Sequence, residues 1–118
     1  MRELMELPSL DELSLLHARV CQALGDPKRL HILYALHERP RNVTALANDL
    51  GMPQPTVSRH LQILRDRLLI VAERDGAAVV YYLAEPRVID VLDTMRLILR
   101  DSLARQTNRL TPGDLESL

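Results

Sequence analysis

Val43 to Ile70 reads VTALANDLGMPQPTVSRHLQILRDRLLI, and the way its two halves meet decides the fold. Asn42, just ahead, is a good helix cap, and Val43, Leu46, Ala47 and Leu50 fall at helical spacing with Gly51 as the stop. A second helix opens around Pro53 to Pro55, where a missing amide matters little. Its inward row is expected to be Val57, Leu61, Leu64 and Leu68. Gln54, Pro55, Ser58, Arg59 and Gln62 lie together on the opposite side. Two short helices joined through a tight glycine turn, the second polar along its outer face, form a helix-turn-helix over about 42–68.

Upstream, Pro8 precedes a helix that starts near Ser9 or Asp11 and runs over about 9–24, with Leu13, Leu16, Val20 and Leu24 as one stripe. Asp26 caps the next helix, Pro27 takes its first position, and Pro40 ends it. Its apolar face is Leu30, Leu33, Tyr34 and Leu36. Downstream the period falls to two. Val71 and Glu73, then Val79, Tyr81 and Leu83, flank Asp75-Gly76, a hairpin signal that places a wing over about 70–84. After Pro86 a last helix, about 87–105, carries Val88, Val91, Leu92, Met95, Ile98 and Leu99, and the end from Thr111 is expected to fray.

The expected class is therefore mainly α with a small β-hairpin: a winged helix-turn-helix in the order α1-α2-α3-α4-β-β-α5, one domain over 1–118. With no Trp and no Phe, the core must be aliphatic. Leu13, Leu16 and Val20 on the first helix, with Val88, Leu92, Met95 and Leu99 on the last, are more apolar surface than one small domain needs. They predict a homodimer paired through the first and last helices.

The outer face after Gly51 has the chemistry of a major-groove reader. Gln makes bidentate contacts to adenine, Arg does the same to guanine, and Ser donates or accepts at short range. The candidate DNA-binding residues are Gln54, Pro55, Thr56, Ser58, Arg59, His60 and Gln62, with His60 beside the face and in reach of the backbone. A dimer presents two such helices about one DNA turn apart, so the expected partner is double-stranded DNA with a partly palindromic operator. Lys28 and Arg29 can reach phosphate, although Arg29 can equally pair with a nearby carboxylate. The net charge of −1 permits DNA binding without demanding it. A winged-helix module that binds protein is the alternative.

Other classes fit poorly. No phosphate-cradling glycine loop is present, and Ser58 near His60 is too local for a triad, so no enzyme is expected. The single cysteine, Cys21, rules out an intrachain disulfide and suits a reducing compartment. With no apolar run of membrane length and no signal-like start in MRELMELPSL, a cytoplasmic protein without membrane partners is expected.

Three runs together resemble one family: ALGDPKRLHIL (Ala23 to Leu33), LANDLGMPQPTVSRHLQILRDRLLI (Leu46 to Ile70) and RDGAAVVYYL (Arg74 to Leu83). In that order they resemble the ArsR/SmtB repressors, across nearly all of Val20 to Leu92. The resemblance implies a homodimer that leaves operator DNA when a small effector, unidentified here, arrives. It also implies a recognition helix from Gln54 to Leu64, base-facing residues Gln54, Pro55, Ser58 and Arg59, and a wing phosphate contact from Arg74. Two positions depart from the family pattern. Leu68 stands where glycine is usual, so the helix end needs another terminator, and Ala77 stands where a basic residue is common.

The metal sites familiar in that family find no match, because Val43, Thr44 and Ala45 replace a cysteine pair and the last helix offers Asp90, Asp93 and Asp101 without histidine. No cofactor or metal is expected. His17 and Cys21, four residues apart on the first helix, are the residual alternative for a metal or thiol sensor, two ligands where a structural zinc site has four.

Overall fold

The structure is a computed structural model that describes residues 6–109, and it divides into two compact units, Met1–Pro86 and Arg87–Leu118. In the first unit, α1 (Leu10–Leu16) runs into a π-helical segment (His17–Cys21), followed by α2 (Pro27–Glu38), α3 (Val43–Leu50), α4 (Gln54–Asp66) and the strands β1 (Ile70–Asp75) and β2 (Ala78–Leu83). The second unit is a single described helix, α5 (Arg87–Arg109). This is the winged helix-turn-helix order. The expected fraying from Thr111 lies outside the described residues.

Local chemistry sets the helix starts. Ser9 Oγ accepts from the Glu12 amide at 3.1 Å, Asp26 Oδ1 from the Lys28 amide at 2.8 Å, and Asn42 Oδ1 from the Ala45 amide at 2.8 Å. Each satisfies an amide that has no partner inside its helix. The first helix is not uniform: the Gln22 amide reaches back five residues to His17 O at 2.9 Å, the π pattern.

The helix ends explain the turn. Gly51 takes φ 65°, and the Met52 amide returns to Ala47 O at 3.0 Å, so α3 stops where the left-handed residue stands. The end of α4 repeats the device with a different residue. Leu68 takes φ 62°, its amide bonds Arg65 O at 2.9 Å, and the Leu69 amide bonds Leu64 O at 3.0 Å. These are the paired bonds of a Schellman end with leucine in the glycine place. Leu68 is therefore the terminator, and it does not extend the buried row of α4: it is 77% exposed. The expected row breaks because the chain has left the helix before reaching it.

α2 packs on α3, α4 and β2, α3 packs on α4, and α4 packs on β1. Ile32, Leu33, Leu46, Val57, Leu61, Leu64 and Ile70 are essentially sealed from solvent, an aliphatic core as the composition requires. Each contributes about 1.5–3 kcal/mol by leaving water. β1 and β2 pair antiparallel from Ile70↔Leu83 to Asp75↔Ala78, leaving Gly76 and Ala77 as the loop. Only Gly76 takes positive φ there (64°), as a type II′ turn requires. Arg41 adds an antiparallel bridge to Tyr81, with amide–carbonyl bonds of 3.3 and 2.9 Å, and so ties the α2–α3 link to the wing.

Candidate nucleic-acid interface

α4 is two-sided, and the division fixes what it can touch. Val57, His60, Leu61 and Leu64 are buried, whereas Gln54, Pro55, Ser58, Arg59 and Gln62 are exposed and Thr56 is half-buried. Pro53, the N-cap, supplies no side-chain bond, and Pro55 has no amide. The exposed side chains thus surround a helix start whose remaining first-turn amides lack intrahelical partners, a setting that receives phosphate.

Two of these side chains have partners. Gln54 Nε2 donates to Thr44 Oγ1 of α3 at 3.2 Å, so the opening turns of α3 and α4 lie side by side. Gln62 Nε2 donates to Asp66 Oδ1 at 2.9 Å, which draws its amide along the helix toward the C-terminal end.

His60 does not flank the exposed face of α4. It is 4% exposed, and Arg29 Nη1 lies 3.3 Å from its Nδ1. A guanidinium only donates, so this contact requires the neutral ring with its proton on Nε2. The helical spacing explains the burial: His60 follows Val57 by three and precedes Leu64 by four, on the inward stripe. Burial holds the imidazole below its ordinary pKa; Asp26 opposes this, and the cations of Arg29, Arg59 and Lys28 reinforce it. The Lys28 amide holds the Asp26 carboxyl below the ordinary range, against some desolvation and with help from His60 and Arg29.

Arg29 likewise faces inward. Its Nε donates to Ala23 O at 2.7 Å and its Nη2 to Gln22 O at 3.0 Å, and its Nη1 lies 4.0 Å from Asp26. It joins the chain leaving the first helix to the back of α4 and is not placed for phosphate; Lys28 is exposed. A second arginine also faces inward, without a signal in the sequence that marks it as buried. Arg41 is 6% exposed; its Nη1 donates to Ala35 O at 3.1 Å and its Nη2 to Glu38 Oε1 at 2.8 Å. Its Nε lies 3.2 Å from Asp49 Oδ2, an ion pair without hydrogen-bond alignment. Arg39 reaches the same Asp49 oxygen at 3.3 Å. This cluster clamps the end of α2 to α3 and the wing. Only its Glu38 pair is local, three residues away; the contact with Asp49 is set by tertiary packing.

At the wing tip Arg74, Asp75, Gly76 and Ala77 are exposed. Arg74 stands between the acids Glu73 and Asp75, so the tip is not strongly cationic.

Of the residues assigned to pairing, Leu13 and Leu16 are 42% and 46% exposed and Val20 is half-buried. On α5, Met95 and Leu99 are 53% and 56% exposed, whereas Val88 and Leu92, assigned to the same seam, are buried. Val91 and Ile98 extend the open stripe instead. His17 and Cys21 are both exposed on the π-helical segment. Among the described residues no group of three or more His, Cys, Asp or Glu is placed to hold a metal ion, and no helix is long and apolar enough to cross a membrane.

Comparison with known proteins bears on this geometry. The profile of the bacterial regulatory protein, arsR family, matches residues 26–70, from the Asp26 cap to the first residue of the wing. The HTH-type transcriptional regulator NmtR of Mycobacterium tuberculosis is 43% identical over 76 residues, covering 64% of this chain and 63% of NmtR, slightly under two thirds of that protein's length. The HTH-type transcriptional regulator Rv0081 of the same organism is 35% identical over 85 residues, covering 71% of this chain and 75% of its own. Its crystal structure superposes with a TM-score of 0.72 at 33% identity, covering 80% and 96% of the two chains. The solution structure of the homodimeric winged helix-turn-helix DNA-binding domain of Mb0332 from Mycobacterium bovis gives 0.69 at 32% identity, covering 86% and 95%.

Proposed function

The chain belongs to the ArsR family of bacterial regulatory proteins and is a DNA-binding transcriptional regulator; from that premise we propose that it is a homodimeric repressor that reads a partly palindromic operator through the outer face of α4 and leaves it when a small effector binds. Gln54, Ser58 and Arg59 contact base edges, Pro55 and Thr56 line the groove entry, and Arg74 on each wing contacts phosphate. Gln62, drawn toward Asp66, sits at the margin of the site. The place of action is the cytoplasm, where such DNA lies.

One observation carries this reading: the side of α4 opposite its buried row presents Gln54, Ser58 and Arg59 to solvent within the first two turns. A helix so divided has one face locked by packing and one available to a groove. The exposed apolar stripes, Leu10, Leu13 and Leu16 on α1 and Val91, Met95, Ile98 and Leu99 on α5, support pairing. A second copy covers them and supplies the second recognition helix, about 34–36 Å from the first.

The test uses fluorescence anisotropy with duplex DNA from upstream of the protein's own gene, titrated across a salt series. Specific binding is expected to weaken steeply with salt, with a log–log slope of about −0.9 per neutralised phosphate. The double variant Gln54→Ala/Arg59→Ala is expected to lose operator preference, about 1–3 kcal/mol for each bidentate contact removed, while sedimenting as the wild type does. Operator affinity that survives this double change contradicts the assigned face.

A further inference from the structure

We propose that Arg29 is a positioning residue for operator reading: it fixes the angle at which the first helix leaves the reading module, and so determines which spacing between half-sites the dimer accepts. The proposal rests on the paired reading of α4 given above and deepens it.

The first helix bears lightly on its surroundings. Every residue of α1 and of the π-helical segment is exposed, except the half-buried Val20. The first buried position is Ala23, at 2% exposure. The helix therefore meets the module at its C-terminal end and not along its length, and burial of its side chains does little to set its direction. Direction must come from the end, yet the exposed Leu10, Leu13 and Leu16 that are proposed to pair lie beyond it.

Arg29 grips that end. Its Nε donates to Ala23 O at 2.7 Å and its Nη2 to Gln22 O at 3.0 Å. The last carbonyls of a helix lack intrahelical partners and carry partial negative charge, so a guanidinium suits them. The sense of each bond is unambiguous, because a guanidinium has five donor hydrogens in a rigid planar fork and no acceptor. Its remaining nitrogen, Nη1, lies 3.3 Å from His60 Nδ1 on the buried side of α4 and 4.0 Å from Asp26, the cap of α2. One flat group thus spans the end of the first helix, the start of α2 and the back of the recognition helix. Only 13% of the Arg29 side chain is exposed, so water competes weakly for these bonds.

Each base pair inserted between two half-sites turns one by about 34–36° and shifts it by about 3.4 Å relative to the other. A dimer whose first helices leave at a fixed angle engages both half-sites only at the matching spacing. A dimer with a loose joint reaches several.

The full-length wild type is first used to select duplexes from a pool with a randomised core. The best duplex is rebuilt with its centre lengthened or shortened by one and by two base pairs, and also cut to a single half-site, and all are compared by competition anisotropy. For the wild type, a change of two base pairs is expected to cost at least about tenfold, part of the roughly 10²–10⁴ that double engagement adds. Arg29→Met, which keeps an unbranched side chain and removes every donor, is expected to shrink that penalty to about threefold or less, because a loose joint still permits double engagement. Its half-site affinity and its sedimentation as a dimer are expected to match the wild type, a split that a general loss of folding does not produce. If Arg29→Met fails to fold, Arg29→Lys, which keeps the charge without the planar fork, replaces it with the same expectation. The proposal is overturned if the variant keeps the wild-type spacing penalty, if it weakens the half-site and every spacing alike, or if it sediments as a monomer, which assigns Arg29 to pairing itself. A wild type that binds the half-site and every spacing equally contradicts the paired reading of α4, and the proposal falls with it.

Discussion

His60 is held by charged neighbours on two elements. Asp26, Lys28 and Arg29 face it from the start of α2, and Arg59 precedes it on α4. The fold needs the ring neutral, since its Nδ1 faces a donor on Arg29. Burial pushes its pKa below the ordinary 6.5, and Asp26 only partly offsets this. The sign follows. Below pH 6.5 the unfolded chain takes up a proton that the folded chain resists, so stability rises with pH across that window. The contribution is complete above 6.5 and fades as pH falls toward the lowered folded value. Asp26 also contributes only above its unfolded pKa, but that window lies below pH 3.8 and does not overlap. The urea midpoint is therefore expected to drop between pH 7.5 and pH 5.5. His60→Gln keeps an acceptor for Arg29 but takes no proton, and it should give a flatter profile over the same range. An unchanged slope in that variant means that the dependence arises elsewhere.

The end of α4 shows what a helix terminator requires. Leu68 adopts φ 62° at the left-handed position of a Schellman end, fully hydrogen-bonded but with a β-carbon in the wrong place. A left-handed residue other than glycine costs about 1–2 kcal/mol, part of which glycine would return as unfolded-state entropy. Leu68→Gly also removes a side chain that is 77% exposed and contributes little packing. The expected gain is about 1 kcal/mol, a rise of several degrees in thermal midpoint for a domain of this size. A lower midpoint would mean that Leu68 makes contacts worth more than its strain, for example in an assembled dimer. The same element shows what local sequence can and cannot disclose. The Asp26 and Asn42 caps, the Gly51 stop and the hairpin at Gly76 were legible, because each depends on bonds within a few residues. The outer face of α4 was legible for the same reason, being set by helical spacing. Spacing alone carries the buried row past the true helix end to Leu68, and a histidine's polarity argues for the outer face although its spacing puts His60 on the buried row. The contacts of Arg41 with Asp49, of Arg29 with His60 and of Gln54 with Thr44 were hidden, since these partners lie on other elements and no spacing rule connects them.

For the whole molecule, the question is what makes one small reading face sufficient. A net charge of −1 and a wing tip in which Arg74 stands between two acids supply little non-specific attraction to DNA. Affinity must then come from specific contacts made twice, and that depends on pairing. Joining two half-site readers makes the second contact intramolecular, which can raise overall affinity by about 10²–10⁴ without any new interaction. The apolar stripe proposed for this role is open on α5 at Met95 and Leu99, whereas Val88 and Leu92 are buried. Met95→Glu/Leu99→Glu therefore targets pairing and spares the buried residues. Sedimentation is expected to show a monomer where the wild type is a dimer, and operator affinity should fall at least about a hundredfold by the same arithmetic. The wild-type thermal midpoint should also rise with protein concentration, a dependence the double variant should lose because its folding is no longer linked to association. A charged variant that still sediments as a dimer and binds normally would place the interface elsewhere. A variant that is monomeric yet binds as tightly as the wild type would instead show that a single α4 face suffices, and the operator would then need no second half-site.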